Sequence, residues 1–148
     1  GGMPSRNPLF NDIGPMCAAA ISEARRLNGA LTGLDLMWNK IGPKGTAAIG
    51  DALRGNRALT LLNLASNEID AVGAQHLSAA LKVNEAVFFE LNLSDNNLGN
   101  GGGKAMYEAL QANAKLTNLD LRYSEIGDVM ETAMQEFAEG KPALTLKI

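Results

Sequence analysis

Residues 100–104, with the sequence NGGGK, are the segment that most resembles a nucleotide-binding motif. A phosphate-binding P-loop needs GxxxxGK[ST] between a strand and a helix, because its backbone amides surround the phosphates and its hydroxyl residue contacts Mg²⁺. Here the spacing of the first glycine is wrong, and Ala105 occupies the hydroxyl position. We therefore interpret this segment as a flexible turn between elements.

The remaining reactive side chains do not form a recognisable catalytic or metal-binding pattern. His76 is the only histidine and Cys17 the only cysteine, so the sequence offers no His/Cys cluster. If Asp35 and Asp120 lie on strands three intervals apart, their separation is ~14 Å, which is too large for a glycosidase pair. The sequence predicts no enzyme, no catalytic residue, no cofactor and no metal.

The amino-acid composition argues against nucleic acids and membranes as partners. The chain is 46% hydrophobic and 20% charged, with a net charge of −3 and scattered Lys and Arg residues. A nucleic-acid partner is not expected, because binding phosphates needs a basic face. No apolar run is long enough to span a bilayer, so no membrane contact is expected either. One cysteine allows no internal disulfide, which favours a reducing, cytoplasmic location.

Internal repetition is the dominant feature of the sequence, with a period of 28 or 29 residues. Pairs of leucines alternate with polar residues, as expected for a short strand with one buried face. Each pair is followed by a glycine-bearing turn and an alanine-rich helical pattern. We predict a non-native, disordered start at 1–5, an N-terminal half repeat or cap at 6–28, repeats at 29–56, 57–84, 85–113 and 114–141, and a terminal strand at 142–148.

One such unit cannot bury its own leucines, but stacked units share a continuous core. The predicted fold is therefore α/β: a curved right-handed solenoid of strand–loop–helix units. A parallel sheet lines its concave face and helices form its convex face. An asparagine follows the strand in three repeats, and its amide is expected to bond to the turn backbone. The predicted structural ladder consists of Asn39, Asn67, Asn96 and, as a weaker fourth rung, Ser124.

The repeats resemble the ribonuclease-inhibitor class of leucine-rich repeats, with the pattern LxxLxLxxNxIGxxGxxxLxxALxxN. Residues 59–67 match its strand half, and residues 73–84 match its helix half. That class includes the sensor regions of NOD-like receptors, the Ran GTPase-activating protein and tropomodulin. The resemblance implies an intracellular protein that binds other proteins.

The expected partner surface is the concave face and the edge beside it. Trp38 is the strongest single candidate, since Trp, Tyr and Arg dominate protein–protein hot spots. A structural alternative is that Trp38 covers the strand end and that the polar row is simply solvated. The candidate contact residues are Asp35, Met37, Trp38, Asn63, Asn92, Asp95, Asp120, Arg122 and Tyr123.

These observations favour a protein–protein interaction module that presents a concave sheet to a protein partner. Two alternatives stay open: a regulator acting in trans on an enzyme such as a small GTPase, in which Arg122 would be tested, or a scaffold fragment of a longer repeat array. The strand pattern at 142–148 also predicts weak homo-association, because an exposed sheet edge can pair with another chain.

Overall fold

The computed structural model describes Gly14, residues 29–84 and residues 90–148. Strands and helices alternate along the described chain. The strands are β1 (Gly33–Asp35), β2 (Leu61–Asn63), β3 (Glu90–Asn92), β4 (Asn118–Asp120) and β5 (Thr145–Lys147). The helices are α1 (Gly42–Gly55), α2 (Ala71–Val83), α3 (Gly99–Ala112) and α4 (Asp128–Glu139).

The five described strands form one parallel sheet in the order of the sequence. One row of aligned residues is apolar and faces the core: Leu34, Leu62, Leu91, Leu119 and Leu146. The next row in the same register is polar: Asp35, Asn63, Asn92, Asp120 and Lys147. This alternation follows from the period of two in a strand, and it gives the sheet one buried and one outer face.

The helices pack against their sequence neighbours and bury their apolar positions against the leucine face of the sheet. Ile49, Leu77 and Met106 are almost completely buried there, one in each of α1, α2 and α3. A helix with side chains is ~10–12 Å wide, whereas neighbouring strands lie ~4.8 Å apart. The stack must therefore curve with the sheet on its inner, concave side.

The glycine-rich segment 100–104 is part of α3, so its interpretation as a flexible turn was wrong. Gly102 and Gly103 are buried, and a side chain would collide with Leu98 of the same repeat at Gly102 and with Ile126 of the following repeat at Gly103. A Cβ on Gly103 would lie 2.9 Å from Cγ2 of Ile126, and one on Gly102 would lie 2.7 Å from Cβ of Leu98. The glycines are needed for close packing, not for mobility.

Gly14 is the one described residue of the predicted N-terminal half repeat. Its amide donates to the carbonyl of Asn39 at 3.0 Å, as Gly42 donates to Asn67 in the next repeat at 2.9 Å. The two glycines also share a left-handed backbone, with φ of 69° and 65°. Several sequence-based expectations lie outside the described residues: a buried small side chain at Cys17, an atypical first helix around Arg25, and core packing of Phe88 and Phe89.

Candidate partner-binding surface

The three ladder asparagines are buried where the chain leaves the sheet. Oδ1 of Asn67 accepts the amide of Asn39 at 2.9 Å, and Oδ1 of Asn96 accepts the amide of Asn67 at 3.0 Å. Nδ2 of Asn67 donates to the carbonyls of Leu36 and Ala65, at 2.8 and 3.0 Å. The side chains of Asn67 and Asn96 therefore each satisfy backbone groups in two consecutive repeats, which fixes the turns relative to one another.

Ser124 occupies the fourth position of the ladder and is also buried. Its hydroxyl lies 3.2 Å from the carbonyl of Leu93 and 3.4 Å from that of Arg122. A hydroxyl has one proton to donate, whereas an asparagine amide has two and a separate acceptor. The fourth turn is consequently held by fewer and longer hydrogen bonds than the other three.

A second row of buried asparagines lies at the opposite end of the helices and was not predicted. Asn56, Asn84 and Asn113 follow α1, α2 and α3. Nδ2 of Asn113 donates to the carbonyl of Leu81 at 2.8 Å, and Oδ1 of Asn56 accepts the amide of Leu59 at 2.9 Å. These asparagines recur at the last position of three repeats, and this recurrence is the sequence signal that could have predicted a second buried row.

The polar row of the concave face has a local structural role. Oδ1 of Asp35, Asn63, Asn92 and Asp120 each accepts the amide of the residue two positions later, at 2.9–3.1 Å. This is the Asx-turn arrangement, which Asp and Asn side chains form more readily than Ser or Thr. The recurrence of Asp and Asn along this row is therefore explained by the turn, although their outer faces stay open to a partner.

Arg122 and Asp120 form an ion pair on this face. Nε and a terminal nitrogen of Arg122 donate to the two carboxylate oxygens, at 3.0 and 2.8 Å. Burial raises the pKa of Asp120, but hydrogen bonds from the side chain and backbone of Arg122, together with its charge, outweigh that effect. The pKa of Asp120 is therefore lowered from its ordinary value. The pair holds the guanidinium against the sheet.

The residues immediately before and after each ladder position form a surface that we call the turn edge. Among the described residues, all seven non-glycine residues with positive φ belong to it. Trp38 and Tyr123 occupy equivalent positions there, with φ of 65° and 56°. Their exposed fractions are 60% and 81%. Alternating left-handed residues turn the ladder side chain inward and its neighbours outward.

The other candidate residues lie beside these aromatics. Asp95 is exposed on the turn edge, and its carboxylate accepts the hydroxyl of Ser66 at 2.7 Å. Met37 is partly buried at the end of β1. The structure thus places all nine predicted contact residues on two adjoining surfaces, the concave face and the turn edge. Their role in binding stays a prediction.

In residues 29–84 and 90–148, no group of three or more His, Cys, Asp or Glu side chains is arranged to hold a metal ion. In the same part of the chain, none of the helices combines the length and apolar character needed to cross a membrane. His76 is exposed on α2.

Comparison with known proteins identifies the repeat. The family model described as Leucine Rich repeat matches residues 31–50, 55–78, 90–106 and 112–129. Together these segments make up more than half of the chain. No curated protein matches the sequence significantly.

Two solved structures share the fold. Leiomodin-1 actin-binding site 2 has a TM-score of 0.72 and 20% sequence identity, over 94% of this chain and 84% of that one. The C-terminal domain of tropomodulin from Caenorhabditis elegans has a TM-score of 0.75 and 14% identity, over 90% of this chain and 81% of that one. The chain therefore belongs to the leucine-rich-repeat family and is of the ribonuclease-inhibitor-like class.

Proposed function

We propose that this chain is a protein-interaction module whose partner contacts the concave face and the adjoining turn edge. The observation that carries the proposal is the pair of exposed aromatic side chains, Trp38 and Tyr123, at equivalent positions of the first and fourth repeats. Solvent exposure of large aromatic rings is unfavourable, but such rings supply much of the energy of protein–protein contacts.

The fold itself does not require aromatic residues at these positions. Ser66 and Asp95 occupy the same place in the second and third repeats, with similar φ angles of 55° and 54°. A left-handed backbone costs an L-residue roughly 1–2 kcal/mol, and Asp or Asn tolerates it better than an aromatic residue does. The presence of Trp and Tyr at such positions therefore favours a role in binding over a role in folding.

The position of Arg122 favours a role in partner binding over a role in regulating an enzyme in trans. An arginine that acts in trans on a GTPase must extend to the partner's phosphates. Here two nitrogens of the guanidinium donate to Asp120. Extending Arg122 to a partner's phosphates would therefore require breaking this ion pair. We infer that Arg122 is a rigid polar contact on the concave face. A GTP hydrolysis assay with small GTPases, comparing the chain with Arg122→Ala, tests the alternative.

Cross-linking in cell extract, followed by affinity capture and mass spectrometry, tests the proposal directly. Wild type is compared with the Trp38→Ala/Tyr123→Ala double variant and with Val129→Ala. Val129 is 87% exposed on α4 and belongs to neither the concave face nor the turn edge. We expect that wild type and Val129→Ala capture the same partner proteins and that the double variant fails to capture them. Identical partners for all three proteins would contradict the proposal.

Actin is the first individual partner to assay, because the leiomodin-1 structure is named as an actin-binding site. Co-sedimentation with filaments, using the same three proteins, is sufficient for this test. Sedimentation of wild type and Val129→Ala, with loss in the double variant, would identify actin as a ligand of this surface. A cytoplasmic location, which an actin ligand would require, stays part of the proposal.

A further inference from the structure

The concave face and turn edge of the two central repeats lie between Trp38 and Tyr123, and we call this strip of surface the channel. Trp38 follows β1 and Tyr123 follows β4, while Ser66 and Asp95 lie between them in the second and third repeats. Backbone hydrogen bonds align neighbouring turns, from Trp38 to Ala65 at 3.2 Å and from Asp95 to Arg122 at 2.9 Å. Grooves of about 330 Å³ lie on both surfaces, one beside Trp38 and one beside Met37.

The channel is about as wide as one α-helix. Three strand intervals separate the repeat that carries Trp38 from the repeat that carries Tyr123, so the backbones of these two residues are ~14 Å apart. An α-helix with its side chains measures ~10–12 Å across. A helix lying along the strands would therefore have one aromatic ring against each flank.

The floor of the channel is acidic. Glu68, Glu90 and Asp95 are exposed there, and Lys40 is the only basic residue of the turn edge. Arg122, on the neighbouring concave face, is paired with Asp120. Because a partner of the same sign would be repelled, this charge distribution favours a basic ligand.

Backbone pairing with the partner is not available along the channel. The strands beneath it, β2 and β3, are each hydrogen-bonded to a strand on both sides. An extended peptide therefore has no free sheet edge to extend here, in contrast to peptides that bind by strand addition. The ligand must be recognised through its side chains, which suits a preformed helix.

We propose that the channel between Trp38 and Tyr123 binds a basic α-helix of a partner protein, with its Lys or Arg side chains facing Glu68, Glu90 and Asp95. This inference rests on the proposed function and adds the chemistry of the ligand. Glu90 and Asp95 are five residues apart along one repeat, which corresponds to at most ~16 Å. That span corresponds to at most about three turns of helix, so basic residues drawn from positions i, i+4, i+7 and i+11 would face the floor.

Selection from a random peptide library displayed on phage tests the inference with the full chain as bait. An enriched peptide is then synthesised, and its affinity is measured by fluorescence anisotropy. The test variant is Glu68→Gln/Glu90→Gln/Asp95→Asn, which keeps side-chain size and removes three charges. The matched control is Asp51→Asn/Glu136→Gln/Glu139→Gln, which removes three charges from exposed positions on α1 and α4. Thermal melting establishes that both variants are folded.

We expect the enriched peptides to be rich in Lys and Arg at helical spacing and to gain helical circular dichroism on binding. The dissociation constant should rise at least tenfold in the channel variant and less than twofold in the control, with weaker binding at higher salt. Neutral or acidic peptides, equal effects of both variants, or no enrichment would overturn the inference. If neutral peptides bind and Trp38→Ala/Tyr123→Ala abolishes that binding, the proposed function survives without the basic helix. If Trp38→Ala/Tyr123→Ala leaves peptide binding unchanged, both the proposed function and the basic-helix inference are contradicted.

Discussion

Oδ1 of Asn67 accepts the backbone amide of Asn39, 28 residues earlier in the chain, at 2.9 Å. The same oxygen lies 3.4 Å from the amide of Ile41, and Nδ2 donates to two carbonyls. One buried side chain thus satisfies backbone groups in its own repeat and in the preceding one. Unpaired buried backbone groups are costly, so the ladder links local turns to the stability of the whole stack.

Replacing Asn67 by Ala should lower the free energy of unfolding by about 2–3 kcal/mol, because buried amides and carbonyls lose their partners. Ser124→Ala is the matched comparison at the fourth ladder position and should cost about 1 kcal/mol or less. Urea denaturation of both variants measures the difference. Equal small losses would show that the ladder does not stabilise the stack.

Replacing Tyr123 by Asn should separate binding from stability. The ring is 81% exposed, and its backbone has φ of 56°. Asn tolerates this conformation better, so we expect the free energy of unfolding to be unchanged or to rise by up to about 1 kcal/mol. Affinity for the captured partner should fall about tenfold or more, as for a lost aromatic anchor. A clear fall in melting temperature would instead assign Tyr123 a structural role.

Glycine substitutions in the helices should have opposite effects depending on what the new Cβ would meet. Gly103→Ala places a Cβ 2.9 Å from Ile126 and should destabilise by about 1–2 kcal/mol through overpacking. Gly55→Ala, at the end of α1 with nothing within 4 Å, should stabilise by about 0.5 kcal/mol. Thermal melting of the two variants checks the signs. A neutral Gly103→Ala would refute the close-packing account.

The Asp120–Arg122 pair should contribute a pH-dependent part of the stability. Because the pKa of Asp120 is lowered in the folded state, its contribution is present above the ordinary carboxyl pKa. It is lost as the pH falls through the folded-state pKa. Asp120→Asn keeps an oxygen for the amide of Arg122 and removes the charge. Denaturation curves should therefore show wild type more stable at neutral pH and the two proteins converging in acid. A constant difference at every pH would exclude this linkage.

Weak self-association through residues 142–148 is expected, because β5 is paired on one side only among the described strands. Leu144, Leu146 and Ile148 are only partly buried. Leu146→Lys places a charge at that position and should reduce the apparent mass in light scattering across a concentration series. Strictly monomeric behaviour of wild type at the highest soluble concentration would exclude the association. Circular dichroism of Leu146→Lys controls for loss of folding.

Much of the fold follows from the sequence alone. A leucine pair with period two, then a helical apolar pattern, repeats every 28 or 29 residues, and no single unit can bury its leucines. Stacking is therefore required, and it aligns equivalent residues of all repeats, as the register of Leu34 with Leu62 and Leu91 shows. The rows of the concave face follow from the same alternation.

Only the tertiary structure decided what the polar residues in those rows do. From the sequence, Asp35 is equally consistent with a solvated residue and with a partner contact. Its side chain accepts the amide of Met37, and this hydrogen bond depends on the geometry of the turn. The three glycines at 101–103 suggest a mobile loop by composition, yet all three lie in the first turns of α3, where Gly102 and Gly103 are buried against Leu98 and Ile126. Periodicity determines which residues are neighbours, because it is set by the backbone repeat. Exposure, φ and hydrogen-bond partners depend on atoms from adjacent repeats, and they are defined only once the repeats are stacked.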